Sequence, residues 1–142
     1  GGGGGGKEAV ESFECPARCG RHLLARHPTY KERYLLNATW WAGPGAPIIF
    51  YTGAEGSGVP AIFSHSGYIM DLAQKLSALV IFAEMRFFGA SLPFGANDSF
   101  IADPTHLGLL SIENTLADYA SLLSSIKAEK KVTVAAVVSP RR

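Results

Sequence analysis

Ile48-Ile49-Phe50-Tyr51-Thr52-Gly53-Ala54-Glu55-Gly56-Ser57-Gly58 sets five apolar, aromatic or β-branched residues directly before a loop with three glycines. The first five have the make-up of a strand buried on both faces, as the inner strands of a parallel sheet are. Downstream, residues 62–77 carry helical spacing, with Ile62, Ile69, Leu72, Ala73 and Leu76 sharing a broad face. Ala78-Leu79-Val80-Ile81-Phe82-Ala83 is a second buried-strand run. Ser111 is placed to cap another helix, along which Ile112, Leu116, Tyr119, Leu123 and Ile126 recur every three or four residues. Glu113 in its first turn and Lys127, Lys130 and Lys131 at its end suit the helix dipole. Val132–Val138 is a third strand run. Strand, helix, strand, helix, strand predicts right-handed βαβ units and a mostly parallel α/β sheet with flanking helices.

Towards the N-terminus, Arg33–Asn37 reads as a short strand and Gly43–Pro47 as a turn. Residues 1–28 open on six glycines and show no sustained period, so they are expected to be a poorly ordered leader, with the domain proper at 29–142. With 47% hydrophobic and 18% charged residues in 142, the composition fits one globular core. A formal charge of +1 gives no one-sided excess, and so no reason to expect a nucleic-acid partner. No apolar run reaches the roughly 20 residues that span a bilayer, and Lys7 and Glu8 stand where a secretory signal would need apolar residues.

Cys15 and Cys19 have three residues between them rather than the two usual in redox and zinc pairs, and no second ligand pair follows. A disulfide and two free thiols are both open. Asn37-Ala38-Thr39 and Asn97-Asp98-Ser99 fit the N-glycosylation triplet and favour a secretory-pathway protein.

Ligands of parallel sheets bind beyond the carboxyl ends of the strands. Gly53–Gly58 lies at the first such end. It reads as a phosphate cradle, as an oxyanion loop supplying a backbone N–H, or as a plain tight turn. Its G-x-x-G-x-G spacing is not the dinucleotide fingerprint, and the Gly-Lys-Ser/Thr of a P-loop is absent. Glu84–Gly95, at the second end, joins a charge pair to aromatics and glycines. A Glu84–Arg86 pair stapling the loop is one reading; the other is a substrate-cleft wall with Phe87 and Phe88 as an aromatic floor. No serine stands in a G-x-S-x-G elbow, so His22, His27, His65 and His106 have no evident nucleophile to serve.

Tyr51-Thr52-Gly53-Ala54-Glu55-Gly56 and the run Leu79–Gly89 resemble the motifs Y-T-G-N-E-G and L-V-V-F-A-E-H-R-Y-Y-G. Ser91-Leu92-Pro93-Phe94-Gly95 and Leu116-Ala117-Asp118-Tyr119 look like S-L-P-F-G and L-A-D-F. These belong, in this order, to the family of lysosomal Pro-X carboxypeptidase, dipeptidyl peptidase II and thymus-specific serine protease, and the resemblance runs from Thr29 to about Val138. It implies an α/β-hydrolase fold and serine acyl-enzyme hydrolysis of short peptides at a proline-defined bond, with no metal or organic cofactor. Carboxypeptidase action after proline and release of N-terminal dipeptides both stay open. The resemblance further implies a peptide substrate, a lysosomal or secreted location, and leaves open a homodimeric parent. Gly53, Ala54, Glu55 and Gly56 would form the oxyanion and substrate loop, and Glu84, Arg86, Phe87 and Phe88 the cleft loop.

Ala54 replaces the family's Asn, Met85 its His, and Phe87-Phe88 its Tyr pair. After Val138 such enzymes continue into G-G-S-Y-G-G, where this chain has Ser139-Pro140-Arg141-Arg142. Pro140 lacks the N–H that an elbow would need there. The expectation is therefore a partial α/β-hydrolase fold that stops before the nucleophile elbow, with no catalytic residue of its own. It would be an inactive N-terminal fragment or, alternatively, a catalytically dead short product with a binding role.

Overall fold

A computed structural model describes residues 8–16, 29–53, 55–56, 58–95, 107–132 and 137–138. In chain order these form β1 (Glu8–Pro16), β2 (Thr29–Asn37), β3 (Ile48–Thr52), α1 (Val59–Ser64), α2 (Gly67–Leu76), β4 (Leu79–Ala83), α3 (Ile112–Glu129) and β5 (Val137–Val138). The sheet order is β1-β2-β4-β3-β5. β3 runs parallel to both neighbours, with Ile48 opposite Leu79 on β4 and Val137 on β5. β2 is antiparallel to β4, with Leu35 opposite Phe82, and β1 is antiparallel to β2 along all nine residues. The class is α/β, and the sheet is mixed rather than mostly parallel, with two antiparallel and two parallel pairings.

Strand alternation divides the core in two. Tyr34, Leu36, Ile48, Phe50, Leu79, Ile81 and Ala83 pack on one face against Tyr119, Leu122 and Ile126 of α3. Leu35, Ile49, Val80 and Phe82 pack on the other against Val59 of α1 and Ile69 and Ala73 of α2. All five residues of β4 are fully buried, as its unbroken apolar run requires. Burying Leu122 or Ile126 contributes roughly 1.5–3 kcal/mol each. Tyr51 stacks on Phe82 at 4.8 Å, and Phe50 meets Tyr119 edge-on at 5.3 Å.

Four expectations need correction. Residues 8–16 are a strand, not part of an unstructured leader; their order comes from a ladder with β2, a long-range pairing that local periodicity does not reveal. The strand expected at Arg33–Asn37 begins at Thr29 for the same reason. The helix expected over 62–77 is two helices, because Ser64 and Ser66 turn their hydroxyls back onto the carbonyls of Ala61 and Ile62 at the break. The strand expected from Val132 is described only at Val137–Val138, with 133–136 outside the described residues. Val132 instead closes α3, its N–H donating to Lys127 O at 2.8 Å behind a left-handed Lys131.

α3 also presents a different stripe from the one its apolar spacing marks. Asn114, Thr115, Asp118, Tyr119, Leu122 and Ile126 are buried, whereas Ile112 and Leu116 are 73% and 57% exposed. Its cap is as expected, with Ser111 accepting from the Asn114 N–H. No helix among the described residues is long and apolar enough to cross a membrane.

Burial, and then the hydrogen bond to Glu11, pushes the Tyr34 phenol above its usual range; burial, and then the charge of Glu32, does the same for Tyr119. The folded state thus favours the neutral phenols. Their contribution is present below the ordinary tyrosine value of about 10 and is lost as pH rises beyond it. Denaturant midpoints are expected to hold up to about pH 10 and then fall, with the fall blunted in a Tyr34→Phe/Tyr119→Phe double variant. An alkaline fall of the same size in that variant would show that other groups control it.

Candidate active site

The chain leaves β4 at Glu84, whose N–H donates to Arg33 O at 3.0 Å. Its carboxylate is buried and holds five donors. Oε1 accepts from Arg33 Nε at 2.9 Å, from Arg33 Nη2, and from the Val59 N–H at 3.0 Å. Oε2 accepts from the Ala90 N–H at 2.9 Å and from Ser91 Oγ at 3.0 Å. Ser91 Oγ in turn accepts from the Arg33 N–H at 2.8 Å. A buried charge persists only when it is paired and hydrogen-bonded, and this one ties together β2, the start of α1 and the loop after β4. A Cβ at Gly58 or Gly89 would fall against this carboxylate, so glycine at both positions makes room for it. Gly89 also takes φ +58°, a left-handed conformation that suits glycine.

Arg86 faces the opposite side of the sheet and is 0% exposed. Its Nε and Nη2 donate to Asp118 Oδ2 and Oδ1, each at 2.7 Å, and Nη1 donates to Leu109 O at 3.0 Å. Tyr30 OH donates to Asp118 Oδ2 at 2.7 Å, and the guanidinium lies 5.8 Å from the Tyr30 ring centroid. The expected Glu84–Arg86 pair is therefore not formed. The chain turns after Ala83, so Glu84 meets Arg33 and α1 while Arg86 meets α3.

The proposed aromatic floor is also altered. Phe87 is buried at φ +69°, its N–H held by Ser91 O at 2.8 Å and its ring 6.3 Å from that of Phe94. A non-glycine residue there costs on the order of 1–3 kcal/mol, and the surrounding hydrogen bonds hold it in place. Phe87 thus packs within its own loop, and Phe88 is half-buried.

At the end of β3, a Cβ on Gly53 would come within 2.5 Å of Ala83 O and 2.8 Å of Met85 N. Glycine is needed here for space. At Gly56, φ +99° demands it for backbone angle. Glu55 is exposed, and Ala54 lies outside the described residues. Beside Gly53 opens a cavity of about 210 Å³ lined by Thr52, Met85, Ile112, Thr115, Leu116 and Tyr119. The two candidate loops thus meet at the carboxyl ends of β3 and β4.

His65 is exposed on the short turn between α1 and α2. Its Nδ1 sits 2.8 Å from Ala61 O, which only accepts, so that nitrogen carries the proton and donates, while Ser64 OH donates to the same carbonyl. His22, His27 and His106 lie outside the described residues, as do Ser139 and Asn97. Asn37 is 6% exposed, with Oδ1 accepting from the Thr39 N–H at 2.9 Å in a tight local turn. The sequence reading assigned no role to Arg33, Ser91 or Tyr30. Asp118 carried a signal that was there to be used: an acid inside the helix stripe that packs on the sheet has to find a cation.

Over residues 24–138 the chain matches the family model described as Serine carboxypeptidase S28. Across 99 residues it is 43% identical to lysosomal Pro-X carboxypeptidase of Bos taurus and 40% identical to that of Homo sapiens, covering 70% of this chain and 19% of each relative. It is 44% identical over 99 residues to putative serine protease pcp-1 of Caenorhabditis elegans, covering 70% of this chain and 17% of that relative. The chain therefore spans about a fifth of the length of the curated relatives it matches.

Asp118→Asn strands the Arg86 charge inside the protein and is expected to cost about 3–5 kcal/mol, read from denaturant unfolding. An Arg86→Met/Asp118→Leu pair, which removes both charges, is expected to recover much of that loss. A single-variant loss below about 1 kcal/mol would mean that water reaches the pair.

Proposed function

This chain belongs to the serine carboxypeptidase S28 family, and on that premise we propose that it is the N-terminal part of an α/β-hydrolase peptidase that cleaves short proline-containing peptides. Gly53, Ala54, Glu55 and Gly56 are its oxyanion loop, and Glu84, Arg86, Phe87 and Phe88 build the wall of its cleft. The relatives' names favour removal of a C-terminal residue after proline over release of dipeptides, and a lysosomal location.

One observation carries the reading: both ends of the 53–58 loop rest on the same residue. Gly53 lies against the backbone of Ala83, Glu84 and Met85, and Gly58 and the Val59 N–H lie against the Glu84 carboxylate. A loop that offers N–H groups to a developing oxyanion must hold them still before the reaction, since preorganisation is what makes such donors effective. Arg86 with Asp118 fixes the other wall from behind. In this reading Glu84 and Arg86 position backbone and do not touch the substrate. The nucleophilic serine and its acid and base partners come from sequence outside these 142 residues, in which no serine has an elbow.

The 142-residue chain alone is expected to take up no fluorophosphonate probe and to turn over no proline-containing dipeptide; stoichiometric labelling of any serine would sink this assignment. In a longer, active protein that contains the segment, Gly53→Ala is expected to lower kcat about 10²-fold or more with little change in KM. A change under about threefold would make the loop a plain turn.

A further inference from the structure

Arg33, the residue of β2 just beyond its ladder with β4, meets three segments that frame the site. Its carbonyl accepts from the Glu84 N–H at 3.0 Å, and its N–H donates to Ser91 Oγ at 2.8 Å. Those two bonds belong to the backbone and are open to any residue except proline. The side chain adds a third link: Nε and Nη2 both donate to Glu84 Oε1, the same oxygen that accepts from the Val59 N–H at 3.0 Å. Nη2 also lies against Gly58, where a Cβ would strike it and Glu84 Oε1 together. Gly58 has φ −67°, an angle open to any residue, so glycine stands there to admit the ion pair and not for backbone freedom.

We infer that Arg33 is a positioning residue for the 53–58 loop: its guanidinium holds Glu84 Oε1 in front of the Val59 N–H and so fixes where the loop ends and α1 begins. The inference rests on the oxyanion-loop reading and deepens it, because it places control of that loop on β2, which belongs to neither candidate loop. Without the guanidinium, Oε1 keeps only the neutral Val59 donor, whereas Oε2 still has Ala90 and Ser91. A buried charge stripped of its cation is driven toward water, and the Val59 N–H is what it leaves behind. Arg33 thus acts through Glu84 and touches no substrate.

The test is Arg33→Met, which keeps the backbone bonds and the apolar stem and removes the guanidinium. In the 142-residue chain, amide hydrogen exchange followed by NMR is expected to speed up at Val59 by roughly fivefold or more, with Ile49 and Ile81 unchanged. Unchanged exchange at Val59 overturns the inference, and so does an equal rise at all three amides, which would reduce Arg33 to general stability. In the longer active protein, the same variant is expected to lower kcat about tenfold with KM little changed. Val59 released while kcat stays at the parent value overturns the positioning role. Arg33→Lys keeps a cation beside Oε1 and is expected to give smaller changes than Arg33→Met in both readouts. A lysine variant as impaired as the methionine one overturns the ion pair as the contact responsible. A failure of the oxyanion-loop reading itself is separate, because it shows as Gly53→Ala leaving kcat intact.

Discussion

Burying the Glu84 carboxylate costs several kcal/mol unless its oxygens are satisfied, and the architecture around the end of β4 is organised by that requirement. Five donors from three separate stretches of chain converge on it: Arg33 of β2, Val59 at the start of α1, and Ala90 and Ser91 of the following loop. Each donor drags its own backbone to a fixed place. Gly58 and Gly89 are small because the carboxylate needs the volume, not because the chain needs freedom at both. The loop after β3 thereby has its exit fixed by a side chain and its entry fixed by backbone contact.

On the opposite face a second buried charge does comparable work for α3. The bidentate Arg86–Asp118 pair, with Tyr30 completing the carboxylate, determines which stripe of the helix meets the sheet. Apolar spacing alone marked the stripe through Ile112, Leu116, Tyr119, Leu123 and Ile126, and the ion pair instead goes with the one through Asn114, Thr115, Asp118 and Leu122. Ile112 and Leu116 are turned outward in consequence, onto the rim of the cavity beside Gly53. The two charges lie two residues apart in sequence yet serve opposite faces of the sheet, which is how one short segment registers a loop and a helix together.

The buried strands β3 and β4, the cap at Ser111 and the glycine loop at a strand end were legible because each follows from local rules: unbroken apolar runs, a side chain that accepts from N3, and glycine where Cβ has no room. The motif order through Asp118 and Tyr119 likewise placed the chain among serine peptidases, and the match over residues 24–138 agrees. What local rules could not supply was partnership. Nothing near Glu84 names Arg33, 51 residues away, and nothing near Arg86 names Asp118, 32 residues away, so the adjacent Glu84–Arg86 pair was the natural but mistaken choice.

By itself, then, the sequence determined the buried strands β3 and β4 and the capped helix α3, that the class is α/β, and which loops stand at the ends of β3 and β4, since these depend on periodicity and on backbone geometry within a few residues. Only the tertiary structure decided that residues 8–16 join the sheet, that β2 runs against β4, which face of α3 is buried, and which cation satisfies each carboxylate. Those outcomes turn on the cost of leaving a buried charge or a strand's hydrogen bonds unmet, and that cost is settled between residues far apart in the chain.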